Sequence, residues 1–206
     1  MSDVVDGFPR LRITKKTGSE HFHRGGHPLE PTLLEFWQWF ASDLTNNVLR
    51  GVLAEYIVAK ALGIADGLRE SWSPYDLITP SGIKIEVKSA AYLQSWFHKK
   101  LSIISFGIGP TRGYDADTNK LADEIKRQAD VYVFCLLKQK DKDTLDPLDL
   151  NQWEFYILAA SVLNERCPTR NSIGLARLQK LNPCKARFEE IAECVEMLTR
   201  SIKAAI

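Results

Sequence analysis

The apolar and polar positions of this chain alternate most strictly over residues 83–89. Ile83, Ile85 and Val87 fall on one face of an extended chain, and Lys84, Glu86 and Lys88 on the other. Residues 75–79 form a short apolar–polar run before them, and Pro80-Ser81-Gly82 supplies turn chemistry, so the stretch predicts a β-hairpin. Three further strands are expected at 101–108 (LSIISFGI), 130–138 (DVYVFCLLK) and 153–160 (WEFYILAA). The continuous apolar run in 130–138 marks a strand covered on both faces. Helical spacing appears over 31–44, where Pro31 suits an early helical position and Leu33, Leu34, Phe36, Trp37 and Phe40 make a broad apolar face for a core or an interface. A second helix is expected over 48–62, capped by Asn47 and ended by Gly63. A short amphipathic helix follows at 119–128 and a helical turn at 161–166. A single helix over 183–206 carries Phe188, Ile191, Val195, Leu198 and Ile202 at helical spacing. This order describes an α/β sheet with helices on its faces.

Composition adds boundaries. A chain of 206 residues with 45% hydrophobic and 26% charged residues suits one soluble domain with a sizeable core. A net charge of +1 gives no global attraction to nucleic acid, so any basic surface has to be local. Cys135, Cys167, Cys184 and Cys194 lack zinc-ligand spacing and are expected as reduced thiols. With no signal peptide and no membrane-length apolar run, a cytoplasmic protein with no membrane partner is expected. Residues 1–30 read as a flexible basic arm bearing Arg10, Arg12, Lys15, Lys16, His21, His23, Arg24 and His27. It is suited to solvent or to a phosphate backbone, and its histidines lack the acid or cysteine that would complete a metal site. Residues 31–206 are expected to form one domain.

The candidate chemistry lies in the hairpin. A turn centred on Ser81 pairs residues whose numbers sum to 162, which sets Asp76 opposite Glu86 with Lys88 one step along the same face. Cβ atoms so paired lie about 4.5–5.5 Å apart, and like charges there repel. A hard divalent cation between the carboxylates removes that conflict, and a nearby ammonium can orient a water or offset charge on phosphate. The bare pattern D-x9-E-x-K equally describes a solvated sheet face. Glu55 adds weight: it shares a helix face with Gly51, Val58, Ala59 and Leu62, where a partly buried carboxylate needs a partner.

Taken together, Leu49-Arg50-Gly51 with Glu55 on a helix, Tyr75-Asp76-Leu77 on one strand and Glu86-Val87-Lys88-Ser89 on the next resemble the PD-(D/E)XK nuclease superfamily, with local spelling similar to Holliday-junction resolvases. Tyr75 stands where the motif's name has proline. The resemblance covers about residues 48–138. It implies an α/β, restriction-endonuclease-like mixed sheet with core order α-β-β-β-α-β, flanked here by extra N- and C-terminal helices. It further implies Asp76, Glu86 and the main-chain carbonyl of Val87 as ligands to Mg2+ or Mn2+. Glu55 would bind the metal or a water on it, and Lys88 would activate the attacking water. Ser89 and Gln94 stand where some members use accessory residues, and Arg50 and Arg112 are candidates for DNA contact. The expected activity is Mg2+-dependent hydrolysis of DNA, by a homodimer or a monomer. The alternative is a catalytically inactive nucleic-acid-binding or homodimeric assembly module on the same fold.

Overall fold

The computed structural model describes residue 8 and residues 10–204, with side chains through residue 200. The rest of the expected basic arm, residues 1–7 and 9, lies outside the described residues, as do residues 205–206. Residues 10–20 run without regular structure. The chain then forms a hairpin, β1 (His21–Arg24) and β2 (His27–Thr32), where an unstructured arm was expected. Helix α1 (Leu33–Ala41) begins at a capping box in which Thr32 and Glu35 satisfy each other's backbone amides. Leu33 and Leu34 donate to the carbonyls of Glu20 and Gly18. Gly18 is required there: its φ is +95°, and a Cβ would meet Trp37 at 3.0 Å.

Helix α2 (Asn47–Ala61) is capped one residue earlier than expected. The Asn46 side chain, rather than that of Asn47, accepts from the Val48 amide at 2.9 Å. It ends as expected at Gly63, φ +69°. The Gly63 amide donates to Lys60 and that of Ile64 to Ala59, closing a Schellman turn. The predicted hairpin follows as β3 (Leu77–Ile78) and β4 (Lys84–Ala91), in the predicted register: Leu77 pairs with Ile85 and Ile78 with Lys84.

The main sheet also contains β8 (Val131–Leu137), β9 (Trp153–Ala159) and β11 (Cys184–Ala186), after the elements β5 (Ser105–Gly107), β6 (Thr111–Asp115) and β7 (Lys120–Lys126), and with β10 (Ser172–Gly174) between. Its order is β11-β9-β8-β4-β3. The pair β4–β8 is parallel and the other pairs are antiparallel, so the sheet is mixed. All seven residues of β8 are buried, which is why it takes the central place. On one face α2 and helix α5 (Ile191–Ala204) lay Ala54, Val58, Ile191 and Val195 over Ile85, Val87, Val133 and Phe155. On the other, helices α3 (Ala160–Arg166) and α4 (Leu175–Gln179) and the segment around β5 cover Ala90, Tyr132, Phe134 and Leu158.

Several expectations give way. Residues 101–108 supply only β5, which pairs with β10 outside the main sheet. Ile104, Phe106 and Ile108 are buried while Ile103 is exposed, so this one-sided strand lies on the sheet rather than in it. The helix expected at 119–128 is strand β7, paired with β6. Leu121 and Ile125 are four apart, a spacing that puts both on one side of a helix or of a strand, so periodicity could not separate the two. Between β4 and β8 the chain therefore has β5 and a hairpin where the α-β-β-β-α-β order has a strand and a helix. The tail is not one helix either: β11 and a 3-10 turn (Phe188–Glu190) precede α5. Cys184 and Cys194 form a disulfide, correcting the expectation of four reduced thiols, while Cys135 and Cys167 are free and buried. Among the described residues, no helix is long and apolar enough to cross a membrane.

Candidate active site

The two-residue length of β3 shapes the site. Past Leu77 the regular pairing stops, and the Asp76 amide donates to the Ile85 carbonyl at 3.1 Å. The Asp76 carboxylate then turns onto the unpaired strand edge, where Oδ2 accepts from the Val87 amide at 2.7 Å. A side chain thus takes the place of a missing strand neighbour. Backbone groups alternate along a strand, so the Val87 carbonyl points to the same edge as its amide.

Glu86 and Lys88 stand on the face of β4 that carries Tyr132 on the neighbouring strand, with Glu86 beside Tyr132 in register. Lys88 Nζ donates to Glu86 Oε1 at 2.5 Å, and both side chains are half-buried. Glu55 approaches from α2, on the opposite face of the sheet. It is enclosed, and Arg69 grips both its oxygens: Nε to Oε2 at 2.5 Å and Nη2 to Oε1 at 2.9 Å. Asp76 sits between these two pairs. Its carboxyl is pushed up to about 6 by burial first, then by the charges of Glu86 and Glu55. The Val87 amide and Lys88 act in the other direction. Burial, followed by the charges of Glu86 and Asp76, likewise holds the Tyr132 phenol up at about 12.

Asp76, Glu86 and Lys88 are therefore together, with Glu55 near enough to act on Asp76. They do not form a ready-made cage: among the described residues no group of three or more His, Cys, Asp and Glu is arranged to hold a metal ion. Two of the three acids are engaged by cationic side chains instead. His21, His23 and His27 lie on the exposed hairpin β1–β2.

Ser89, Gln94 and Arg50 form a separate unit. Arg50, expected as a DNA contact, is 5% exposed and points inward. Its guanidinium donates to Ser89 Oγ at 3.0 Å, Asn47 Oδ1 at 2.8 Å, Gln94 Oε1 at 3.3 Å and the Thr45 carbonyl at 3.1 Å. Gln94 also donates to the Ala91 carbonyl and Ser102 Oγ. Ser89 faces α2, away from Lys88, because adjacent residues of a strand point to opposite faces. Arg112 is exposed on β6.

Sequence reasoning missed Arg69. It lies in an irregular link with no periodicity, fourteen residues from Glu55. The one clue was that an enclosed Glu55 needs a partner. Tyr132 was visible only as one more apolar position of a buried strand.

Residues 38–177, which contain every residue of this site, match the family model for bacteriophage T4 endonuclease IV. No curated protein and no solved structure matches the chain. With more than half of its length matched, and the acids, Lys88 and Arg69 all inside the match, the chain belongs to the bacteriophage T4 endonuclease IV family, a family of endonucleases.

Proposed function

We propose that this chain hydrolyses phosphodiester bonds of DNA with a divalent cation, Mg2+ or Mn2+, held at the edge of the sheet in the manner of PD-(D/E)XK nucleases. The observation that carries this reading is Asp76, turned onto the strand edge between two other carboxylates. An acid pushed up to about 6 by burial and then by two neighbouring carboxylates stands where a bound cation would be stabilised. The donors there are carboxylate oxygens and a main-chain carbonyl, which suit a hard cation. Asp76, Glu86 and the Val87 carbonyl would hold the ion, with Glu55 as a further ligand or the acceptor of a hydrogen bond from a water. When bound, the ion lowers the pKa of a water it holds and offsets charge on the phosphate.

The chain's own groups do the rest. Lys88, anchored at 2.5 Å on Glu86, sits where its ammonium can orient the attacking water or stabilise the developing charge. Asp76 and Glu86 would hold the ion, and with it a water, beside the bound phosphate. Cleavage of plasmid and branched DNA with Mg2+ tests the assignment, with Asp76→Ala and Lys88→Ala beside wild type. Equal activity in all three removes it. DNA binding without calorimetric Mn2+ uptake would instead favour the inactive binding module.

On this reading two copies pair through α1. None of its residues is buried, and Leu34, Phe36, Trp37, Phe40 and the 83%-exposed Trp39 stay uncovered beside Phe22 and Leu29 of the hairpin. Sedimentation of wild type as a monomer at micromolar concentration would remove the dimer. Trp39→Ser with Phe40→Ser should shift a dimer to monomer.

A further inference from the structure

Glu55 cannot serve a cation freely while Arg69 holds it. The bidentate pair occupies a lone pair on each carboxylate oxygen and cancels its charge, and Arg69 is further fixed by its donation to Ser71 Oγ at 3.3 Å. The two partners differ in position. The Glu55 side chain is 12% exposed and the Arg69 side chain 43%, so the acid is enclosed and the guanidinium stands at the mouth. That mouth is a cleft of about 460 Å3 whose lining carries Lys15, Lys60 and Arg69 against Glu55 and Asp66, with one more cation than acids. Arg69 also lies within the electrostatic reach of Asp76. It comes from the irregular link between α2 and β3, which has no helix or strand to fix its backbone.

From this geometry we infer that Arg69 is a positioning residue that exchanges partners. In the resting protein it holds Glu55 away from the cation site, and an incoming phosphodiester draws the guanidinium off and frees the carboxylate. The inference rests on the nuclease reading of the same site. A phosphodiester offers the planar fork two oxygens, as the carboxylate does, so the exchange replaces one bidentate pair by another. Lys15 and Lys60 of the cleft lining add attraction for the phosphate. Cation and substrate binding are then coupled, each raising the affinity for the other, as linkage requires.

Arg69→Gln removes the charge and Arg69→Lys keeps it without the fork, so the pair separates charge from geometry and guards against a variant that fails to fold. Mn2+ affinity is read by calorimetry without DNA. Affinity for single-stranded and duplex oligonucleotides is read by fluorescence anisotropy in EDTA, where no cleavage occurs. Arg69→Gln should bind Mn2+ about five-fold tighter than wild type, the scale of a partly exposed ion pair. It should bind the oligonucleotides about five-fold more weakly, with Arg69→Lys between. Unchanged or weaker Mn2+ binding by a folded Arg69→Gln would overturn the exchange, since an arginine that only props Glu55 gives that result. If wild type takes up Mn2+ and Arg69→Gln matches it, the exchange alone falls. If wild type takes up none, the nuclease reading falls with it.

Discussion

Two arginines bear on α2, one in its first turn and one in the link after it, and they meet the cost of a buried charge in opposite ways. Arg50 is enclosed among neutral oxygens of Ser89, Gln94, Asn47 and the Thr45 carbonyl, with no carboxylate of the described residues on it. Burial pulls its guanidinium below the usual value. Arg69 stands at a cleft mouth, clamped on Glu55, and that hydrogen bond raises its own pKa. The first arginine ties the start of α2 to β4 and to the Gln94 segment. The second balances one acid of a site that still holds Asp76 and Glu86. A charge with only dipoles around it has nothing to exchange, whereas a charge on a carboxylate beside an open cleft does. Fixed hydrogen bonding serves the scaffold at the start of the helix, and on the proposed reading excess negative charge serves chemistry beside its middle.

The largest expected effect falls on the acidic end. Asp76→Ala and Lys88→Ala should each lower the initial rate of DNA cleavage in Mg2+ by about a thousand-fold or more, since each removes a group that meets charge developing in the reaction. Thermal melts of both variants should stay cooperative. A rate within ten-fold of wild type would break the contrast between a reactive and a structural end.

Stability should show the reverse order. Arg50→Ala leaves the half-buried Ser89 hydroxyl and the buried Gln94 carbonyl without their donor and opens a cavity, so urea unfolding should show a loss of about 3 kcal/mol. Arg69→Gln, at a partly exposed pair, should lose about 1 kcal/mol or less. Equal losses would mean that Arg69 is as much scaffold as Arg50.

Asp76 adds a pH signature. Its folded carboxyl, at about 6, lies above the ordinary 3.8, so the folded state holds the proton more tightly than the unfolded chain. Stability of the metal-free protein therefore falls as pH rises from about 4 to about 6, and the whole cost is present above that window. Asp76→Asn removes the cost while keeping an acceptor for the Val87 amide. Denaturant melts in EDTA should show it more stable than wild type by about 1–2 kcal/mol at pH 7 and equal near pH 3.5. Wild type as stable as Asp76→Asn at pH 7 would show that the site is not short of positive charge.

The smallest effect is expected at Arg112. It is exposed on β6, and Arg112→Ala should change unfolding free energy by no more than about 0.5 kcal/mol. Any loss of DNA affinity there would then report a direct contact.

Local rules made part of this molecule readable. The alternation of Ile83, Ile85 and Val87 against Lys84, Glu86 and Lys88 located β4, and turn chemistry at Pro80-Ser81-Gly82 set a register that Leu77–Ile85 pairing obeys. The uninterrupted apolar run of β8 announced a strand covered on both faces. Glycine 63 ended α2 as its tolerance of positive φ allows. Where two periods coincide the reading failed: Leu121 and Ile125 fit a helix and a strand alike, and long-range pairing with β6 decided. The tail failed for a similar reason. Cys184-Lys185-Ala186 has too little pattern to show a strand, and only the free edge of β9 draws it into the sheet, where the disulfide joins it to α5.

By itself the sequence determined the hairpin, its register, and hence that Asp76, Glu86 and Lys88 come to one place, because turn type and alternation act over a few residues. Tertiary structure alone decided which partner each charge receives: Val87's amide for Asp76, Arg69 for Glu55, and neutral oxygens for Arg50. Those choices depend on helices and loops brought together from distant parts of the chain. Burial then makes each partner count, because charges withdrawn from water act on one another far more strongly than in it.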